Sequence, residues 1–202
     1  MTAVIHRGIV LLGASGAGKT TLIAALHSAL AQVDGISIPT RLTTRKARAD
    51  DLDWENTSVS RAQLDDLEIS GALLMRWQKR LSEDWVEDYA FGRQDGANLV
   101  LGANNALLLD PRNSEALLAI DGMVRILVTC RSELRLARLA RRSPHILQDA
   151  KEWLARSEDG SSQLLSKVHC VIENNDEGIE RCLVQIGHLM VGLGFELGNV
   201  FA

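Results

Sequence analysis

Gly13-Ala14-Ser15-Gly16-Ala17-Gly18-Lys19-Thr20 has the spacing G-x-x-x-x-G-K-[ST], and the residues on both sides suit it. Before it, Gly8-Ile9-Val10-Leu11-Leu12 is an unbroken apolar run, the pattern of a strand covered on both faces. After it, Leu22, Ile23, Leu26, Ala29, Leu30 and Val33 recur at helical spacing. A strand, a glycine loop and a helix in that order form an anion cradle, because the curled loop turns several backbone N–H groups inward at the positive end of the helix. Glycine permits the curl. Lys19 supplies a mobile charge for the outer phosphates, and Thr20 a hydroxyl for Mg²⁺. The segment therefore predicts a bound nucleoside triphosphate on Gly13, Ala14, Ser15, Gly16, Ala17, Gly18, Lys19, Thr20 and the adjoining Thr21.

Bulk composition bounds the rest. A chain of 202 residues with 46% hydrophobic content suits one α/β domain with a small insertion. The net charge of −4 argues against a general nucleic-acid binder. No apolar stretch approaches the ~20 residues that span a bilayer, and the first residues lack the long apolar region of a secretory signal. A cytoplasmic location is expected. Cys130, Cys170 and Cys182 have no metal-ligand spacing and read as reduced thiols, and the histidines form no pair at catalytic spacing.

Strand and helix signals alternate along the chain. Gly35 suits the end of the first helix, and Ile36-Ser37-Ile38 a short strand. Ser60-Arg61-Ala62-Gln63 is a capping box opening a short helix that stops at Gly71, followed by the strand-like Ala72-Leu73-Leu74-Met75. Ala106-Leu107-Leu108-Leu109 is a strand-like run ending in Asp110. Residues 123–130 read as a core strand, residues 132–142 as a helix and residues 168–172 as a last strand. Ile179, Leu183, Ile186 and Met190 line a closing helix. This alternation predicts an α/β fold of three layers, with a parallel sheet between helices. The division expected is a single domain with its core at about 1–40 and 98–202, a substrate-binding insert at about 41–97 and a helical lid at about 131–160.

Several constellations bear on chemistry. Arg41-Leu42-Thr43-Thr44-Arg45-Lys46-Ala47-Arg48 sets four cations in eight residues, suited either to an acceptor's phosphate or to a solvated loop neutralised by Asp50, Asp51, Asp53 and Glu55. Arg131, Arg135, Arg138 and Arg142 share one helical face, as a phosphate-closing lid or a solvated face would have it. Asp110 is either a metal carboxylate at a strand end or a turn residue before Pro111. Trp77 and Tyr89 are either substrate-facing or core, and the nearby Glu83, Asp84, Glu87 and Asp88 read as a solvated loop or as a group positioning a polyhydroxy substrate or a metal. Asn174-Asn175-Asp176 is either a purine-reading edge or a helix-capping turn.

Together these segments resemble the guanylate-kinase-like group of phosphate-loop kinases, from Gly8 to about Met190. Residues 13–20 match its phosphate loop, and Thr43-Thr44-Arg45-Lys46-Ala47-Arg48 looks like its T-T-R-x-x-R acceptor segment. Arg138-Leu139-Ala140-Arg141-Arg142 is similar to its R-L-x-x-R lid, and Asn174-Asn175-Asp176 to its N-N-D turn. The departures matter as much. Leu73-Leu74-Met75-Arg76-Trp77 has no glutamate where F-L-E-W reads guanine, Y-Y-G becomes Ala90-Phe91-Gly92, and Arg41 replaces a serine. In lacking that glutamate and keeping the L-x-W spacing, the chain is most similar to the branch that phosphorylates ribose 1,5-bisphosphate.

The resemblance implies transfer of the terminal phosphoryl of ATP, with Mg²⁺, onto a small phosphorylated acceptor, ribose 1,5-bisphosphate, giving 5-phosphoribosyl diphosphate. It implies Lys19, Arg45, Arg138 and Arg142 as catalytic, with Arg41, Thr44, Arg45, Arg48, Trp77 and Tyr89 on the acceptor. Asn175 falls beside the nucleotide, and Thr20 and Asp110 at the metal. A nucleoside monophosphate kinase with altered base recognition and a non-catalytic nucleotide-binding module are the alternatives. No membrane or nucleic-acid partner is expected, and the sequence leaves the oligomeric state undetermined.

Overall fold

The strand β1 (Gly8–Leu12) is buried along its whole length and lies between two parallel neighbours, β7 (Asn98–Gly102) and β8 (Met123–Thr129). The computed structural model describes residues 8–47, 54–80, 83–94, 97–103, 106–109, 113, 117, 120, 122–142, 163–175, 178–198 and 200–201. In it, β2 (Ile36–Ser37) pairs with β7 and β9 (Cys170–Glu173) with β8, completing a five-stranded parallel sheet in the order β2-β7-β1-β8-β9. Alternation along β1 feeds two cores. Ile9 and Leu11 pack with α1 (Lys19–Leu30) and α5 (Ile179–Gly192) through Leu22, Leu26, Ile186 and Met190. Val10 and Leu12 face the opposite way, with Leu99, Leu101 and Leu127. The predicted fold class is the one observed: α/β with a central parallel sheet and helices packed against it.

A second, four-stranded sheet has the order β4-β3-β6-β5. It consists of β3 (Arg41–Thr43), β4 (Asn56–Ser58), β5 (Leu73–Arg80) and β6 (Val86–Gly92), with β6 antiparallel to both of its neighbours. Trp77, Tyr89 and Phe91 project from it into the second core, with Trp77 5.5 Å from Tyr89 and 5.4 Å from Phe91 between ring centroids. Between β4 and β5 runs α2 (Arg61–Ile69). Its capping box is formed as the sequence predicts: Gln63 N–H donates to Ser60 Oγ, and Ser60 N–H donates to Gln63 Oε1. The short α3 (Ala106–Leu109), α4 (Ser132–Arg142) and a 3-10 turn (Leu165–Lys167) complete the described elements.

Two expectations are corrected. The run at 106–109 is helical rather than strand-like, and the sheet strand lies just before it at β7. A short leucine-rich run satisfies either geometry, and here Leu107 is buried in the second core from a helix. Glu87 and Asp88, read within a possible solvated loop, are buried in β6. Asp88 is 0% exposed and tolerated there because it is saturated with donors. Arg61 reaches it at 2.8 and 3.0 Å, Arg76 at 3.1 and 3.3 Å, and Gln78 Nε2 at 3.0 Å. Arg76 also binds Asp65 at 2.7 Å and Glu68 at 2.8 Å, so one guanidinium fastens α2 across the second sheet. Burial alone would raise the Asp88 carboxyl; the hydrogen bonds from Gln78, Arg61 and Arg76 outweigh it and hold the group below the ordinary carboxylate value.

Asp88→Ala is expected to cost about 3 kcal/mol in denaturant unfolding, since it strips Arg76 and Gln78 of a buried partner. Arg61→Ala, at the exposed end of the same cluster, should cost under about 1 kcal/mol. The folded carboxyl titrates below its unfolded value of about 3.9. Its contribution is therefore complete above that pH and vanishes as pH falls through the folded value. Unfolding midpoints measured from about pH 5 down to about pH 2 should fall less steeply for Asp88→Asn than for the parent protein.

Candidate functional site

The loop at 13–20 leaves the carboxyl end of β1, between β7 and β8, and closes directly onto the first turn of α1. Its shape is enforced from below. A Cβ at Gly13 would lie 2.4 Å from the Val128 carbonyl oxygen, so the loop rests on β8. Gly18 has a φ of +90°, and a Cβ there would lie 2.1 Å from Asn174 Nδ2. Asn174 is buried after β9 and donates to Ala17 O at 3.0 Å, which ties the loop to the last strand. From the other side α4 presses on Gly16 with the side chains of Arg135 and Leu139. Arg138 donates to Gly16 O at 3.5 Å and to Asn174 O at 3.2 Å. Lys19 Nζ donates to Gly13 O at 2.6 Å and Ala14 O at 3.0 Å, so the ammonium is held at the loop's own rim.

Above this loop opens a cavity of about 770 Å³ whose far wall is the second sheet. Ser15, Gly16, Gly18, Lys19, Thr20 and Thr21 form one end. Arg41, Arg45, Lys79, Tyr89 and Phe91 line it from the sheet, and Arg138, Arg141, Asn174 and Asn175 close the side. Among the described lining residues are six cations, Lys19, Arg41, Arg45, Lys79, Arg138 and Arg141, against a single carboxylate, Glu55. In a chain whose overall charge is negative, this concentrates positive potential in one concavity.

The residues singled out from the sequence take different places. Arg45 lies at the cavity wall, 8% exposed. Arg41 also lines it but is braced: Nε and Nη2 bind Asn56 Oδ1 at 2.9 and 2.7 Å, and Nη1 binds Gly102 O at 3.0 Å. The register of β3 against β4 sets Arg41 beside Asn56 and creates that pairing. The Tyr89 hydroxyl donates to Glu87 at 2.5 Å while its ring faces Arg41, 5.6 Å from the guanidinium carbon. Burial, and then the hydrogen bond and charge of Glu87, push the phenol well above its ordinary value, so it stays a neutral donor.

Thr44 is not among the lining residues; its hydroxyl accepts from Asp88 N–H at 2.9 Å. Trp77 is 1% exposed and likewise absent from the cavity wall, so its stacking partners are Tyr89 and Phe91 rather than a substrate. Asn175 lines the cavity, its Oδ1 accepting from Arg131 N–H at 3.0 Å. Arg48, Asp110 and the side chain of Arg142 lie outside the described residues.

Sequence reasoning passed over Lys79, Arg141 and the buckle made by Asn174, and gave Glu55 only as a neutraliser of the basic loop. Asn174 stood in a motif already singled out, but only the tertiary contact distinguishes it from Asn175. For a divalent cation the structure offers Thr20 Oγ1 and Glu55 Oε1, 3.0 Å apart. Hard oxygens of this kind suit Mg²⁺, which takes one or two protein ligands and fills its shell with water and phosphate. Among the described residues no group of three or more His, Cys, Asp or Glu side chains gathers into an all-protein cage.

The parallel sheet, the glycine loop on its central strand and the facing second sheet give this chain the guanylate-kinase-like phosphate-loop kinase fold. It superposes on guanylate kinase from Anaplasma phagocytophilum with a TM-score of 0.61 at 17% identity, over 96% of this chain and 88% of that one. On shikimate kinase from Acinetobacter baumannii, in complex with shikimate, the TM-score is 0.54 at 16% identity, over 96% and 97%. In sequence the chain is similar to ribose 1,5-bisphosphate phosphokinase PhnN from Rhodopseudomonas palustris, 29% identical over 160 residues that make up 77% of this chain and 70% of that relative. No family model matches the chain. Among the described residues no helix is long and apolar enough to cross a membrane.

The loop contacts yield a direct expectation. Gly18→Ala forces an L-residue into a left-handed conformation worth about 1–3 kcal/mol of strain and drives a methyl into Asn174. Gly13→Ala meets immovable β8 backbone instead. Both should lower the melting temperature, and amide exchange across residues 13–20 should accelerate more than in the sheet strands β7 and β8.

Proposed function

We propose that this protein is a magnesium-dependent phosphotransferase that moves the terminal phosphoryl of ATP onto a small, multiply phosphorylated acceptor. Ribose 1,5-bisphosphate is the acceptor, and 5-phosphoribosyl diphosphate the product. One observation carries the reading: among the described residues, six cations and one carboxylate line a cavity that joins the glycine loop to the second sheet. Such a field suits two highly anionic ligands meeting end to end. The named acceptor rests on the similarity to the Rhodopseudomonas relative and on the missing guanine-reading glutamate.

The chemistry asks little of the protein beyond positioning and charge. The attacking atom is an oxygen of the acceptor's 1-phosphate, already ionised at neutral pH. The bond from that oxygen to the γ-phosphorus forms as the bridge to the β-phosphate breaks, and no proton must be removed. The cavity wall fits this need, since its described residues include no histidine. Residues 13–18 supply backbone N–H groups around the nucleotide's phosphates, and Lys19 leaves its carbonyl partners to offset charge on the transferred group. Thr20, with Glu55 beside it, holds Mg²⁺, whose chemistry when bound is to neutralise charge on the β- and γ-phosphates. Arg45 holds the acceptor's phosphate from the second sheet, with Arg48 as its neighbour in sequence. Arg138 lies on the side wall, where charge develops between the two ligands; Arg142 shares its helix.

The test is an acceptor panel with ADP release as readout: ribose 1,5-bisphosphate, ribose 5-phosphate, and the common nucleoside monophosphates. Turnover is expected with ribose 1,5-bisphosphate, and not with GMP or AMP. Phosphorylation of a monophosphate alone would make this a nucleotide kinase, and nucleotide binding without any turnover would make it a binding module. Lys19→Ala should reduce kcat by about 10²–10³. Arg45→Ala should raise the acceptor KM at least tenfold while leaving the KM for ATP within about twofold, as expected for a contact to one ligand only.

A further inference from the structure

We propose that Glu55 is a positioning residue for the nucleotide's divalent cation, reaching from the acceptor-side sheet to the hydroxyl of the phosphate loop. The inference rests on the nucleotide reading above and assigns a role to the one cavity-lining carboxylate among the described residues.

Three contacts hold Glu55 in place. Its backbone carbonyl accepts from Arg41 N–H at 3.0 Å, fixing it at the mouth of β4. Its carboxylate pairs with Arg41 Nη2 at 3.4 Å, the side chain being only 14% exposed. The same Oε1 accepts from Thr20 Oγ1 at 3.0 Å, across thirty-five residues of sequence. An independent contact brings this segment to the same helix: Trp54 stacks on His27 of α1, with centroids 4.5 Å apart and planes 17° from parallel. Residues 54 and 55 thus clamp the second sheet to the helix that follows the phosphate loop.

The chemistry of the pair points to a cation. A hydroxyl has one hydrogen to donate and two lone pairs to offer. When Thr20 gives its hydrogen to Glu55, the lone pairs remain for a metal. The carboxylate stands next to them, placed to accept from water in the metal's shell. Without a metal it makes little sense, because a carboxylate beside a triphosphate repels it. With a divalent ion between them the same charge becomes favourable. A purely structural Glu55, present to neutralise Arg41, would need no hydrogen bond to the loop.

Calorimetry on the full chain with a non-hydrolysable ATP analogue, in EDTA and in Mg²⁺, separates these roles. For the parent protein Mg²⁺ should tighten analogue binding. In Glu55→Gln, affinity in EDTA should be unchanged or slightly higher, while the enhancement by Mg²⁺ falls about tenfold, the usual effect of losing a group that orients a metal ligand. Mn²⁺ titrated into the protein–analogue complex, followed by electron paramagnetic resonance, should show the same loss directly. The unchanged affinity in EDTA also serves as the check that the variant is folded. Full retention of the Mg²⁺ enhancement in Glu55→Gln overturns the proposal, as does an equal loss of affinity with and without metal, which would make Glu55 a brace for Arg41. Absence of analogue binding by the parent protein under both conditions removes the nucleotide reading itself, and this inference with it.

Discussion

The phosphate loop has no freedom to be anything but curled, because four neighbours occupy the space in which it would relax. Val128 carbonyl lies under Gly13, Asn174 lies against Gly18, and Arg135 and Leu139 lie against Gly16. An anion site made of backbone N–H groups is useful only if those groups stay aimed when no anion is present. Here the aim is supplied by a strand, the helix that follows it and a buried amide, all far from the loop along the chain. The sheet order follows from the same need. With β7 and β8 both beside β1, the loop emerges where the two flanking connections diverge, leaving a crevice above the strand ends.

Charge is sorted rather than simply balanced. Several described cations on and beside the second sheet differ in what faces them. Arg61 and Arg76 turn onto Asp88, Asp65 and Glu68 and become fasteners for α2. Arg45 and Lys79 belong to the cavity. Arg41 has both characters, since it lines the cavity while tied to Asn56, Glu55 and Gly102. A buried ion cluster such as that at Asp88 adds little net stability relative to apolar packing, but it fixes the registration of a helix on a sheet.

Much of the fold was legible because it depends on local pattern. The unbroken apolar run at 8–12, the glycine spacing that follows, the periodicity of α1 and the capping box at Ser60 are each specified by neighbours in sequence. Local pattern failed where one composition satisfies two geometries. Leu107 and its neighbours suit a strand or a helix, and the choice came from packing into the second core. Glu87 and Asp88 look solvated by composition, yet lie buried because their partners, Tyr89 and Arg76 among them, arrive from the strand itself and its neighbour.

The same division holds for the site. By itself the sequence determined that a strand, a glycine loop and a helix follow one another, and that basic residues come at positions 41–48, because apolar periodicity, glycine conformation and charge are properties of residues at fixed spacing. Only the tertiary structure decided which cations share the cavity, that Trp77 belongs to the core, that Asn174 rather than its neighbour clasps the loop, and that Glu55 meets Thr20. Those outcomes depend on two sheets and a helix closing on one another. The last two contacts join residues 157 and 35 positions apart, beyond the reach of any local pattern.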